Sequence, residues 1–201
     1  MAINLKKGGS GTSERPVDGT YLARLISIVD LDHQPAFHYG EGSTAGVIDA
    51  GYKISLTYEL VSTKNSKDEN FLQTEELTMS LNERANLSKR LKALDPSGIK
   101  TKNHTEIDGV MGSGCMLTVG STGKGGAKVA GLTSPIEGLP IPNATITVGL
   151  FSFDEPDMDV YSRIPSFIQG KLHKSTNFEN SPLHLELLQT GWTMDQANSP
   201  Y

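Results

Sequence analysis

The chain has 201 residues, 36% of them hydrophobic and 20% charged, with no run of eighteen apolar residues, which argues against a wholly disordered chain and against a transmembrane helix. Its formal net charge is −5 and unevenly placed: residues 151–201 hold seven acids against three bases, leaving residues 1–150 at −1. Such a body lacks the basic footprint usual in nucleic-acid binders, so any surface of that kind has to come from local placement of charge. The one cysteine, Cys115, excludes an intrachain disulfide and a Cys-rich zinc site and fits a reducing compartment. Residues 1–10 lack the apolar core of a signal peptide.

In chain order, residues 1–18 read as a flexible leader. Residues 21–31 form a long strand with both alternating sets mostly apolar: Tyr21, Ala23, Leu25 and Val29 against Leu22, Ile26 and Ile28. A strand covered on both faces, or bent from one sheet into another, has that pattern. Residues 32–51 read as a long loop. In residues 52–60 the period is two: Tyr52, Ile54, Leu56, Tyr58 and Leu60 face a core, while Lys53, Ser55, Thr57 and Glu59 face water. A polar turn at 62–70 leads into a return strand over 71–81. Ser80-Leu81-Asn82-Glu83 has capping-box spacing, and Leu87, Leu91 and Leu94 then fall on one helical stripe, stopped by Pro96 and Gly98. Residues 104–111 fit a short second helix. Strands follow at 114–119 and 128–132, separated by a glycine-rich turn, and an alternating stretch at 144–153 reads as the last strand.

Five or six strands with one helix after the third predict a mainly β fold, the five-stranded OB-fold Greek-key barrel with its helix between strands 3 and 4, over residues 19–154. Residues 155–201 form a partly ordered C-terminal extension. It has one short helix over 165–173, and its polar, irregular end at 174–201 should be removable without unfolding the protein.

The glycine-rich residues 120–126 end Gly-Lys-Gly-Gly and follow no βα unit, so they are not a phosphate-binding P-loop. His33 and His38, with Asp30 and Asp32, have no second cluster to complete a metal site. No nucleophile-elbow sequence occurs, and Cys115 sits beside Met116 and Leu117 as an inert buried thiol. Asp154, Asp157 and Asp159 read as an acidic linker. The expectation is therefore a protein without catalytic residues, metal or cofactor. What remains is interleaved base and aromatic, the means by which single strands are gripped: Arg24, Phe37, His38, Tyr39, Lys53, Thr57, Lys64, Lys67, Phe71, Lys124 and Lys128. Each alone reads equally well as a solvated lysine or a core or loop aromatic; only the ensemble points to binding. Tyr52 and Tyr58 are assigned to the core.

Four segments carry a resemblance: Gly19-Thr-Tyr-Leu-Ala-Arg-Leu-Ile-Ser-Ile-Val-Asp-Leu, Tyr52-Lys-Ile-Ser-Leu-Thr-Tyr-Glu-Leu, Thr78-Met-Ser-Leu-Asn-Glu-Arg-Ala-Asn-Leu-Ser-Lys-Arg-Leu and Gly112-Ser-Gly-Cys-Met-Leu-Thr-Val. In order and spacing, from about residue 19 to 154, they resemble the small OB-fold single-stranded-DNA-binding proteins of tailed bacteriophages. The stretch Ile164-Pro-Ser-Phe-Ile-Gln-Gly-Lys-Leu-His-Lys-Ser is similar to the segment after the barrel in that group. The resemblance implies non-catalytic, largely sequence-independent binding and protection of single-stranded DNA in phage replication or recombination. It places the protein in the cytoplasm of the infected host, away from membranes, with replication and recombination proteins as further partners through the C-terminal extension. One departure is the end, Asn198-Ser-Pro-Tyr201, which lacks the acidic tip of many replication-type binders; the acidic run lies earlier, at 154–159, where it could compete with DNA for a basic groove. The alternatives are an OB-type protein-interaction module without direct DNA binding, such as a recombination mediator or virion component, and a hydrolase, which a deep polar pocket with converging acids would favour.

Overall fold

A computed structural model describes residues 14–40, 46–123 and 125–193. Its main sheet has six strands: β1 (Gly19–Gln34), β4 (Gly51–Lys64), β5 (Asn70–Thr78), β6 (Gly114–Ser121), β7 (Ala127–Thr133) and β8 (Gly149–Phe151). A separate two-stranded ribbon pairs β2 (Phe37–Tyr39) with β3 (Gly46–Ile48). The main order is β5-β4-β1-β6-β7, all antiparallel, with β8 running parallel to β1 along Ser27–Val29. The outer strands β5 and β7 approach each other but exchange no ladder hydrogen bonds. The expected closed barrel is thus an open, curled sheet.

Helix α1 (Asn86–Leu94) follows β5 and lies beneath the curl. Leu87, Leu91 and Leu94 enter the core with Leu25, Ile28, Ile54, Leu56, Tyr58, Cys115 and Leu117, as the stripe predicts. The capping box does not form. Ser80 Oγ and Asn82 Oδ1 instead accept the amides of Asn82 and Arg84 in a turn, and the helix starts later, at an Ala85 N-cap that offers no side-chain bond. Residues 104–111 yield only a 3-10 turn at Asp108–Val110.

Strand β1 is covered on both faces. Its register against β4 slips once between Leu25 and Ser27 and again between Asp30 and His33. These bulges insert extra residues and re-aim the side chains that follow. Ile28 therefore joins Ala23 and Leu25 in the first core, while Val29 and Leu31 turn to the other face, the reverse of the alternation read from sequence. Asp32, at the second bulge, has φ of +54°, a conformation that short polar residues tolerate.

The other face of β1 builds a second core with the C-terminal residues. Val29 and Leu31 meet Phe151 and Phe153, then α2 (Met158–Arg163), α3 (Ser166–Leu172) and α4 (Pro182–Gln189) through Val160, Ile168, Leu172, Leu183 and Leu187, with Phe178 from the 3-10 turn between α3 and α4. Residues 174–193, expected to be dispensable, thus supply core. They are also latched by hydrogen bonds from Ser175 Oγ and Asn177 Nδ2 to the Asp32 carboxylate. The acidic run is partly structural, since Asp157 caps α2 by accepting the amides of Asp159 and Val160. The alternation at 144–153 gives only the three-residue β8. Ile146 and Leu150 stay exposed, and Gly149 has φ of +118° with Val160 packed close, a site for glycine alone.

His173 sits in this second layer, bonded to Tyr161 Oη at 2.7 Å and packed against Phe178 and Trp192. Burial, with some repulsion from His184, pushes its pKa down from the ordinary 6.5 to about 4. The unfolded chain therefore takes up a proton that the folded chain refuses, and stability present above pH 6.5 is lost as the pH falls toward 4. We expect the melting temperature to drop through this window, and His173→Gln to flatten that part of the profile. Parallel profiles for the two proteins would contradict the assignment.

Candidate nucleic-acid interface

The β2–β3 ribbon is an arm inserted between β1 and β4. Directly opposed residues share a face, so Phe37, Tyr39 and Ile48 lie on one side and His38 and Val47 on the other. Phe37 is 60% and Tyr39 49% exposed, and Val47 and Ile48 are exposed as well. The ring of Tyr39 lies over Gly46, where an added Cβ would come within 2.5 Å of it. Glycine there lets the ring fold across the ribbon.

At the arm's root Tyr52, assigned from sequence to the core, is 55% exposed and packs edge-on against His33 at 5.2 Å. Met79, whose amide donates to the Tyr52 carbonyl at 2.9 Å, is exposed beside it. Sequence alternation missed Tyr52 because the second bulge of β1 falls at this end of β4. It missed Val47 and Ile48 because two three-residue strands are too short to show a period.

The outer face of β4 is not the wet surface that sequence predicts. Lys53, Ser55, Thr57 and Glu59 are all buried. Thr57 bonds across to Thr74 at 2.9 Å, and Lys53 Nζ donates to Thr78 Oγ1 at 2.9 Å. Residues 141–146 cross over the strand. Their passage is pinned by Arg24, which donates to the carbonyls of Gly112, Ile141 and Pro142, and by Glu59, which accepts from the amide and hydroxyl of Thr145 and the amide of Ile146. Burial pushes the Glu59 carboxyl up, but these bonds and one from Asn70 outweigh it and hold the carboxyl below its usual range. Farther along, Lys171 of α3 pairs with Glu76 of β5.

Arg24 and Thr57 thus use polar groups within the fold, the Arg24 guanidinium on three carbonyls and the buried Thr57 hydroxyl on Thr74. Phe71 is partly buried and packs against the first core. Lys64 pairs with Asp68 at 2.8 Å in the β4–β5 turn. That turn holds exposed Lys67 as well, and lies the length of β4 from the arm, roughly 40 Å at the usual rise per residue. Lys128 is exposed opposite Gly120 on the β6–β7 hairpin, and Lys124 lies outside the described residues. Of the eleven candidates the structure brings together Phe37, His38 and Tyr39, with Lys53 behind them.

A cleft of about 610 Å³ runs from Ile48 of the arm past Lys53, Glu76 and Thr78 to Arg84 and Asn86 at the start of α1, with Lys171 at its rim. Sequence singled out neither Arg84 nor Lys171, since their placement depends on where α1 starts and where α3 docks. Among the described residues no group of His, Cys, Asp and Glu is placed to hold a metal ion, and no helix is long and apolar enough to cross a membrane. The Cys115 thiol is buried and pushed up to about 12 by that burial, a state that disfavours nucleophilic use. No protein-family model matches the chain, and searches of curated proteins and of solved structures likewise find no match.

Proposed function

We propose that the protein binds single-stranded DNA without chemical change, stacking unpaired bases on the β2–β3 arm. The observation that carries this reading is the arm, on which Phe37 and Tyr39 share one face and are both exposed, with exposed Tyr52 at its root. Every base has a π-face, so such platforms bind with little sequence bias. The strand order and the helix after β5 support an OB-type framework, which in general is a partly open five-stranded Greek key that binds oligonucleotides on its second and third strands and adjoining loops. Here that sheet face is roofed by residues 141–146 and α3, which leaves the first loop, the arm, as the platform. Following the resemblance, we place the activity in phage replication or recombination inside the infected cell.

A protein-interaction module is the second reading. Its support is that the described arm residues include no Lys or Arg and expose Val47 and Ile48. The two readings part on one variant. Phe37→Ala with Tyr39→Ala is expected to leave the melting temperature within a degree or two, because neither ring is in a core. It is expected to weaken binding to an oligothymidylate by about 1–3 kcal/mol for each base that loses its platform. Unchanged affinity in a fluorescence titration would remove the arm from the DNA site.

A further inference from the structure

The cleft behind the arm combines features that a stacking surface does not need. Lys53 is only 8% exposed, and among the described residues its ammonium has one partner, the neutral hydroxyl of Thr78. Among the described residues no carboxylate lies within 4 Å of it. Burying an ammonium without a counter-charge is costly. Arg84, exposed on the cleft wall, has no hydrogen-bond or ion-pair partner for its guanidinium among the described residues. Glu76 also faces the cleft, but its carboxylate is held by Lys171, so Lys53 and Arg84 leave the cleft positive. Helix α1 opens onto the same space at Ala85 and Asn86 with no side-chain cap and no acid in its first turn, and the amino end of a helix favours anions.

We propose that this cleft is a phosphate-binding site in which Lys53, Arg84 and the amino end of α1 hold a phosphate group. It deepens the single-strand reading, on which it rests for the identity of its ligand as a backbone phosphodiester. Ile48 belongs to both the arm and the cleft, so a strand stacked on the arm presents its backbone to the cleft. The site anchors the strand in a protein whose overall charge offers few phosphate contacts.

Two titrations of the full chain test this. In the first, inorganic pyrophosphate alone is added at constant ionic strength while the amide signals of Asn86 and Leu87 are followed by NMR. Saturable shifts are expected, weakened about tenfold by Arg84→Gln, which removes no side-chain hydrogen bond or ion pair among the described residues, and unaffected by Lys128→Gln. In the second, oligothymidylate affinity is measured against salt. Arg84→Gln is expected to make the slope of log K against log salt shallower by about 0.7, the value for one phosphate on a single strand. No saturable shift, together with an unchanged slope, overturns the site while leaving binding on the arm intact. Pyrophosphate shifts in a protein that holds no oligothymidylate keep the site as one for free phosphate compounds and overturn the single-strand reading.

Discussion

Phe178→Ala is expected to cost about 3–5 kcal/mol of stability, the usual range for emptying a buried aromatic site. Phe178 is 2% exposed, contacts His173 and Trp192, and sits between Leu172 of α3 and Leu183 of α4 in the second core. The same layer is bonded to β1 at Asp32 and covers Val29 and Leu31. Loss of Phe178 therefore uncovers one face of the central strand. Urea unfolding of the full chain checks this, and removal of residues 174–201 is expected to be more damaging still. A truncated chain that unfolds at the same urea concentration as the full one would show that the second core contributes nothing to the sheet.

The second large effect lies beneath the curled sheet. Arg90 of α1 forms two parallel bonds, 2.8 and 2.9 Å, to Glu75 of β5, and Tyr58 Oη donates to the same carboxylate at 3.0 Å. Both charged side chains are about nine-tenths buried. Burial works against the Arg90 charge, but the bonds and charge of Glu75 outweigh it and raise the pKa. Burial and the Glu75 charge together push the Tyr58 phenol well above its ordinary range. Removing one partner leaves the other charge buried and unpaired, so Glu75→Leu alone is expected to lose about 3–5 kcal/mol. Glu75→Leu combined with Arg90→Met is expected to recover most of that loss, because the pair's mutual attraction mainly offsets its own desolvation. A double variant as unstable as the sum of the single ones would mean that the two side chains act independently.

The five antiparallel strands of the sheet and the buried stripe of α1 could be read from residue order because their signals are local: Ile54, Leu56, Tyr58 and Leu60 alternate, and Leu87, Leu91 and Leu94 recur at helical spacing. Alternation, however, says which residues share a face and not what covers it. Glu59 reads as solvent-facing, yet it is fully buried because its carboxylate receives Thr145 and Ile146 from far along the chain. The inversion of Ile28 and Val29 follows from a single-residue bulge, which leaves no mark in the composition of an apolar run. Helix α4 did have a signal: Ser181 before Pro182, then Leu183 and Leu187 four apart, the cap, first-turn proline and stripe of a short helix. In the candidate site the exposed aromatics Phe37 and Tyr39 were legible as residue types in a loop. The lysines that accompanied them in the sequence reading were not sorted by distance, because Lys64 and Lys128 become remote from the arm only once the strands are paired.

The most direct test of the central claim is a competition titration at low salt, in which a labelled oligothymidylate bound to the full chain is displaced by unlabelled single strand or by duplex of the same length. Single strand is expected to compete at far lower concentration than duplex, mixed-sequence single strands to compete about as well as oligothymidylate, and Phe37→Ala with Tyr39→Ala to erase the preference. Duplex competing as well as single strand, or an arm variant with the preference intact, would contradict that claim.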